Sequence, residues 1–427
     1  MRSYVSLKSK NITKGIMILI CLSPFLQIYS EAKIDVLVLA LISALSILVV
    51  TIKKDFKLSP LFYLFVYSIC LKAIMSIIIG DVRYINLNRT IGTQICILLI
   101  CLLTKVQLKD LIKVYKGFAY FSVVFFILQI IFYFVLKYPL MFEIPFLEPD
   151  PIYTQAYKYL ERCLISNVIF PRFPGPFSEP ANYAAFVLPL LIIELNKKDR
   201  DGILKSIIIG MTILLSTSGI GIVILSVITF YFAAYYLAKK KMRVPVWLFF
   251  AFILIIIGFG LVVITNQAFR DSINNLFVSN NGLKSSKADY RIYRGLAYFL
   301  KLPSVLKIFG IGLYDAEAFA KILNINNQFD VETAFYEYFN GVSQIVIYFG
   351  FLGFGLVVYY FIWMLRKTKH LGRLIFFAYI LLIIGSSHLF DQIGLLYLLL
   401  IKATSTNGIN IDRKFSNIKE MLNLKGL

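Results

Sequence analysis

Hydrophobic positions along this chain run together instead of alternating. Apolar stretches near the ~20 residues that a helix needs to cross a bilayer recur from end to end, at 13–30, 34–52, 58–79, 87–104, 117–136, 181–195, 203–218, 219–238, 244–264, 343–365, 371–386 and 389–401. Runs of this kind predict membrane-crossing α-helices and exclude a transmembrane barrel, whose shorter strands alternate apolar with polar. The expected fold class is therefore all-α, a polytopic integral membrane protein of about twelve spans. Two intervals, 137–180 and 265–342, are too long to be simple connections. They divide the chain into a scaffold at 1–136, a first large loop at 137–180, spans at 181–264, a second large loop at 265–342, spans at 343–401 and a polar tail at 402–427.

The charges between spans give an orientation. Lys53, Lys54 and Lys57 follow the second span, Lys105, Lys109, Lys113 and Lys116 the fourth, and Lys197, Lys198, Arg200 and Lys205 the sixth. Lys239, Lys240, Lys241 and Arg243 follow the eighth, and Arg366, Lys367, Lys369 and Arg373 the tenth. The intervening short connections carry few cations: Lys33 after the first span, Arg83 and Arg89 after the third, and none at 216–219 or 386–391. The positive-inside rule then places both termini in the cytoplasm and both large loops outside, with the tail lying near anionic lipid.

Composition agrees with the pattern. The 427 residues are 59% hydrophobic and 16% charged, with mean hydropathy +0.78. The net charge of +21 is spread over alternate connections rather than gathered on one surface, which argues against nucleic acid as a partner. The basic, apolar N-terminus lacks a small-residue cleavage site and runs at once into a second span, so it reads as the first span rather than a removable signal. Cys21, Cys70, Cys96 and Cys101 fall in spans and Cys163 alone falls outside, which leaves no pair for an external disulfide, and no metal-ligand spacing is present.

Candidate chemistry concentrates where the first large loop returns to the membrane. The segment Arg172-Phe173-Pro174-Gly175-Pro176-Phe177-Ser178-Glu179-Pro180-Ala181-Asn182 holds an arginine and a glutamate on either side of a stiff Pro/Gly turn. Pro180 also suits the first position of a helix, and Glu179 its N-terminus, so the same residues serve equally as a helix start. In the second loop, Ser286-Lys287-Ala288-Asp289 fits a capping box, followed by a helical run to about Lys301 that sets Arg291 and Arg294 on one face. Gly310-Ile311-Gly312 predicts a turn. Glu332 and Glu337 precede the next span, five residues apart, so they share no helix face well. Lys72, inside the third span, either snorkels to the interface or faces inward beneath the loops. His388 and Asp391, in the turn after the eleventh span, are within reach of a site on that side or are structural. Ser216-Thr217-Ser218-Gly219-Ile220-Gly221 is small enough for close helix approach.

About twelve spans, two large loops, the Arg-x-Pro-Gly-Pro-Phe-x-Glu-Pro segment and the Gly310-Ile311-Gly312-Leu313 turn together resemble the O-antigen polymerase (Wzy) and ligase superfamily, most clearly over 165–345. Gly350-Phe351-Leu352-Gly353 resembles a later landmark of that superfamily. Many of its ligases and some of its polymerases carry a histidine, often His-Asn, before the span corresponding to the tenth; this chain has Glu332-Thr333 in that region, which favours the polymerase branch. The resemblance implies a metal-independent membrane glycosyltransferase of the bacterial cytoplasmic membrane, without a cofactor. It would move a glycan from undecaprenyl pyrophosphate to the non-reducing-end sugar of another undecaprenyl-pyrophosphate-linked repeat unit on the external face. A chain-length regulator is the partner it implies, and the product would be an O-antigen, capsule or exopolysaccharide. Arg172, Arg291, Arg294 and Lys72 are then candidates to hold the departing pyrophosphate. Glu179, with Glu332 or Glu337 next, is the candidate base for the acceptor hydroxyl. Phe173, Phe177, Tyr290, Tyr293 and Tyr298 are either sugar-stacking faces or packing residues. The rival readings are a lipid-linked oligosaccharide flippase, a ligase-type glycan transferase and a non-catalytic receptor.

Overall fold

The computed structural model describes residues 2–29, 33–53, 59–79, 87–103, 110–138, 140–144, 173–197, 199–240, 295–313 and 339–406, with single positions 106, 108, 147, 316 and 319. All regular structure among them is helical. The helices are α1 (Arg2–Leu22), α2 (Ile34–Lys53), α3 (Leu61–Ile79), α4 (Leu87–Leu103), α5 (Leu111–Ile131), α6 (Pro180–Leu195), α7 (Arg200–Leu215) and α8 (Gly219–Lys240). They continue with α9 (Gly295–Lys301), α10 (Ser304–Phe309), α11 (Gly341–Lys367), α12 (His370–Gly385) and α13 (Gln392–Thr406). A tight turn at Ser23–Tyr29 prolongs α1, and a widened one at Phe132–Leu136 prolongs α5.

Among the described residues, four helical stretches are long and apolar enough to cross a membrane: Asn11–Tyr29, Ile34–Ile52, Leu111–Leu136 and Gly341–Lys367. Shorter apolar helices occupy most of the other expected spans, among them Pro180–Leu195, Gly219–Phe232, His370–Gly385 and Gln392–Thr404. The expected ninth span, 244–264, and the capping box at Ser286 lie outside the described residues. Large apolar side chains point outward from helix after helix, including Leu37 at 64% exposure, Val135 at 70%, and Ile74, Met211 and Tyr359. A surface of that kind is unsuited to water over so wide an area and suits hydrocarbon.

The centre of the bundle is α6. It is buried on every side from Tyr183 to Glu194, as a helix apolar all round should be. It packs against α5, α7, α8, α12 and α13. Pro189 lies within it and supplies no N–H, so the carbonyl of Ala185, four residues earlier, loses its helical donor. The Tyr397 hydroxyl of α13 donates to that carbonyl at 2.8 Å. One residue further on, the Tyr115 hydroxyl of α5 inserts into the ladder, donating to the Phe186 carbonyl at 2.7 Å and accepting from the Leu190 N–H at 3.0 Å. Two tyrosines thus mend a break that no water reaches, the condition on which proline is tolerated inside a membrane helix.

A second break lies in α11. Gly350 there adopts φ 62°, ψ −172°, and the turn after α10 docks on it. The amides of Ile311 and Gly312 donate to the carbonyls of Ile347 and Tyr348, both at 2.9 Å. A Cβ on Gly310, itself at φ 83°, would stand 2.5 Å from the Gly350 nitrogen, so only glycine permits this backbone-on-backbone contact. The Tyr67 hydroxyl of α3 donates to the Phe309 carbonyl from the other side at 2.5 Å.

Helix ends sort into two levels. At one, the starts of α2, α6 and α13 meet through amide side chains, and the start of α11 meets the end of α12, with the Gly341 N–H on the Ser386 carbonyl at 2.8 Å. This is the amide end. At the other, Lys116 near the start of α5 and Lys197 after α6 both bind the wholly buried Glu194, the first at 2.7 Å. Partial burial works against the Lys197 ammonium, and the carboxylate outweighs it, leaving the Lys197 pKa raised. Lys402 of α13 caps the end of α4 through the carbonyls of Leu103 and Val106. This is the lysine end. Helices α5, α6 and α13 each run from one level to the other. The close approach allowed by the Ser216–Gly221 stretch is chiefly to α6, where a Cβ on Gly221 would meet that of Ala184 at 2.6 Å.

Candidate functional site

The loop-exit segment is built at the amide end from the aromatic residues upward. Phe173 is buried edge-on to Phe126 and Tyr133, with ring centroids at 6.0 and 5.5 Å. Phe177 is buried between Phe25 and Phe186, at 4.8 and 5.0 Å. Between them, Gly175 turns the chain at φ 62°, where a Cβ would stand 2.6 Å from the Tyr183 ring. Gln129 holds the turn by donating to the carbonyls of Gly175 and Leu140 at 3.1 and 3.0 Å. Both phenylalanines are therefore anchors and not sugar-stacking faces. Tyr298 is an anchor too, buried with its hydroxyl donating to the Ala316 carbonyl at 2.8 Å.

Those anchors leave Glu179 at the rim. Its backbone is extended, Pro180 opens α6 directly after it, and its exposed carboxylate makes no capping bond. The electrostatic helix start and the stiff turn are both realised, since one geometry produces both. Arg172, Arg291, Arg294, Glu332, Glu337, Tyr290 and Tyr293 lie outside the described residues. Lys72 is half-buried in α3, and its backbone nitrogen would be 3.3 Å from a Cβ on Gly312. Lys72 is thus set beside the turn that fills the α11 break.

Beneath the rim runs a directed chain of hydrogen bonds. Asn182 Nδ2 lies 3.1 Å from Ser178 Oγ and donates to Gln27 Oε1 at 3.3 Å. Gln27 Nε2 donates to Gln392 Oε1 at 2.6 Å, and Gln392 Nε2 to Asp35 Oδ2 at 3.3 Å. Each amide accepts from the one before it and donates to the next, so the dipoles align toward the carboxylate and reinforce one another. Among the described residues, Asp35 Oδ1 is buried and has no hydrogen-bond partner.

Next to this chain, His388 and Asp391 form a dyad. His388 Nδ1 lies 2.5 Å from Asp391 Oδ2, while Asp391 Oδ1 accepts from the Gly394 N–H at 2.8 Å and so caps α13. The turn that carries them is pinned by the Tyr379 hydroxyl on the Leu389 carbonyl at 2.5 Å and by Asn340 Nδ2 on the Ile384 carbonyl at 3.0 Å. Asn340 caps α11, at the end of the interval expected to form the second large loop.

Sequence reading singled out Glu179, His388 and Asp391; it quoted Asn182 within the same segment as Glu179 without giving it a role, and it did not single out Gln27, Asp35 or Gln392. Each is a single polar residue at the end of an apolar run. The available signal was that all four fall at ends sharing one predicted side. Among the described residues, no group of three or more His, Cys, Asp and Glu side chains is arranged to hold a metal ion. The chain matches no protein-family model, no curated protein and no solved structure.

Proposed function

We propose that this chain is a polymerase of lipid-linked oligosaccharide repeat units, a metal-independent glycosyltransferase with about twelve spans in a bacterial cytoplasmic membrane. Both termini lie in the cytoplasm, and the amide end faces outward. A glycan passes from undecaprenyl pyrophosphate to the non-reducing-end sugar of a second lipid-linked unit, and the product is an O-antigen, capsule or exopolysaccharide. The observation that carries the reading is convergence: the return at Ser178–Asn182 joins a part-buried polar chain that runs through Gln27 to Gln392 at the start of α13, and the return at Asn340 bonds the end of α12 that leads into the same turn. A transferase that takes two lipid-anchored substrates from the bilayer needs such a place, polar and bounded by apolar helices.

In this reading Arg172, with Arg291, Arg294 and Lys72, neutralises the charge that develops on the departing pyrophosphate. Glu179, exposed at the rim, meets the acceptor sugar, either hydrogen-bonding its hydroxyls or taking a proton; Glu332 and Glu337 are the further candidates for that role. One observation favours a second reading, a flippase for the same lipid-linked units: the α11 break at Gly350 is of the kind transporters place at substrate sites.

Glycan length separates the two. In cells lacking the native gene, the wild-type chain should restore a ladder, while Arg172→Ala and Glu179→Ala, at equal membrane levels, should leave single repeats exposed outside. Repeats trapped inside when the chain is absent would replace the polymerase with the flippase. Full ladders from both variants would remove the two residues from the reaction.

A further inference from the structure

Resting on the polymerase reading, we propose that the His388–Asp391 dyad is the general-base unit that takes the proton of the acceptor hydroxyl. The argument starts from what a base requires. It must be held in one orientation, in one tautomer, and at the place where the acceptor arrives. Glu179 lacks the first of these among the described residues, where its exposed carboxylate makes no capping bond. His388 is 7% exposed, and its Nδ1 is tied to a carboxylate. A carboxylate partner makes Nδ1 the donor, which leaves the lone pair on Nε2 and stabilises the imidazolium once Nε2 is protonated.

Asp391 is itself held. One oxygen caps α13 through the Gly394 N–H and the other meets the imidazole, so the carboxylate cannot rotate away without uncapping the helix. Gln392, the next residue, joins the dyad to the amide chain that reaches Ser178, beside Glu179. On the other side, Asn340 ties the carrying turn to the return of the second loop. The dyad therefore stands between the two returns, where donor and acceptor would meet. Among the described residues, the ionisable groups around it on neighbouring helices include Asp35 on α2, Cys96 on α4 and Tyr379 on α12.

The step balances without a further reactant. Nε2 takes the hydroxyl proton as the acceptor oxygen forms its bond to the anomeric carbon. The bond from that carbon to the pyrophosphate oxygen breaks, and undecaprenyl pyrophosphate leaves with the electron pair. Asp391 is a positioning residue, holding the imidazole as its charge appears, and the proton passes from Nε2 to water before the next turnover.

The test uses the full-length protein purified in detergent, with lipid-linked repeat units extracted from the strain that lacks the native gene as substrate. His388→Gln and Asp391→Asn should each lower kcat by ~10²- to 10⁴-fold with KM little changed. In Asp391→Asn the new side-chain amide still caps α13 through its oxygen, but it presents an N–H to Nδ1, which shifts the imidazole proton to Nε2 and blocks it as a base. Added imidazole should restore part of the rate to His388→Gly and none to Asp391→Asn. Wild-type kcat in either His388→Gln or Asp391→Asn overturns the proposal while leaving the polymerase standing. A wild-type protein that makes no ladder from these units overturns the polymerase reading, and the dyad's role with it.

Discussion

The two ends of this bundle bury polar groups in opposite ways. At the lysine end Glu194 is fully enclosed and neutralised by two ammonium groups, while Lys402 closes the last carbonyls of α4. Both carboxylate oxygens of Glu194 face an ammonium, and the Lys402 ammonium faces two backbone carbonyls. At the amide end neutral side chains pass hydrogen bonds along a line that finishes on a carboxylate with one oxygen unpartnered. A polar cluster that serves only to hold helices together has reason to complete its bonds, because each buried group left unpaired is destabilising. The lysine end meets that condition and the amide end does not. The contrast identifies the first as a fastening, and under the proposed function the second is where the substrates arrive.

The contrast breaks most easily at Glu194. Glu194→Ala leaves Lys116 and Lys197 facing each other without a counter-charge. Loss of one member of a buried ion pair typically costs about 3–5 kcal/mol, and the upper part of that range is discounted because both lysines reach water; their side chains are 24% and 33% exposed. A loss of about 2–3 kcal/mol is expected on the same grounds, read as a lowered melting temperature of the detergent-solubilised protein. An unchanged melting temperature would mean that the lysines hold nothing together.

The mended break in α6 stands between the two ends and ranks next. Tyr115→Phe orphans the Phe186 carbonyl and the Leu190 N–H together, whereas Tyr397→Phe orphans the Ala185 carbonyl alone. At about 1–3 kcal/mol for each buried group left unpaired, Tyr115→Phe should destabilise by more than Tyr397→Phe. The same thermal measurement orders them, and equal effects would show that α6 re-forms its own ladder around Pro189.

How much of this was legible beforehand follows from the distance over which each feature acts. Helix positions came through because hydrophobic runs are local, and α6, α7, α8 and α12 fall within a few residues of the runs that predict them. The turn at Gly175 came through because proline and glycine act on their own backbone. The amide chain did not: Gln27 and Gln392 are separated by 365 positions, and neither stands out where it sits. Nor did the role of Tyr115 and Tyr397, since a tyrosine in an apolar run reads as packing until the carbonyl it serves is known. The glycine turn at 310–312 was visible as a turn, but its partner at Gly350 becomes apparent only when two segments far apart in sequence are laid against each other.

The smallest expected change in stability sharpens the contrast from the other side. Gln392→Leu keeps the volume of the side chain and removes both its bonds, the one accepted from Gln27 and the one given to Asp35. Gln27 and Asp35 are each half-buried at the edge of the bundle, so both can turn to solvent, and the cost should stay within about 1 kcal/mol. Ladder formation should nonetheless fall, because the line from Ser178 toward Asp35 is cut beside the His388–Asp391 dyad. Stability and activity would then part company at the amide end, as they should not at the lysine end, where activity is expected to follow the amount of folded protein. If Gln392→Leu instead lowered the melting temperature as far as Glu194→Ala, both ends would be fastenings. The unpartnered oxygen of Asp35 would then be an isolated defect, and the convergence of the two loop returns would have to be explained by packing alone.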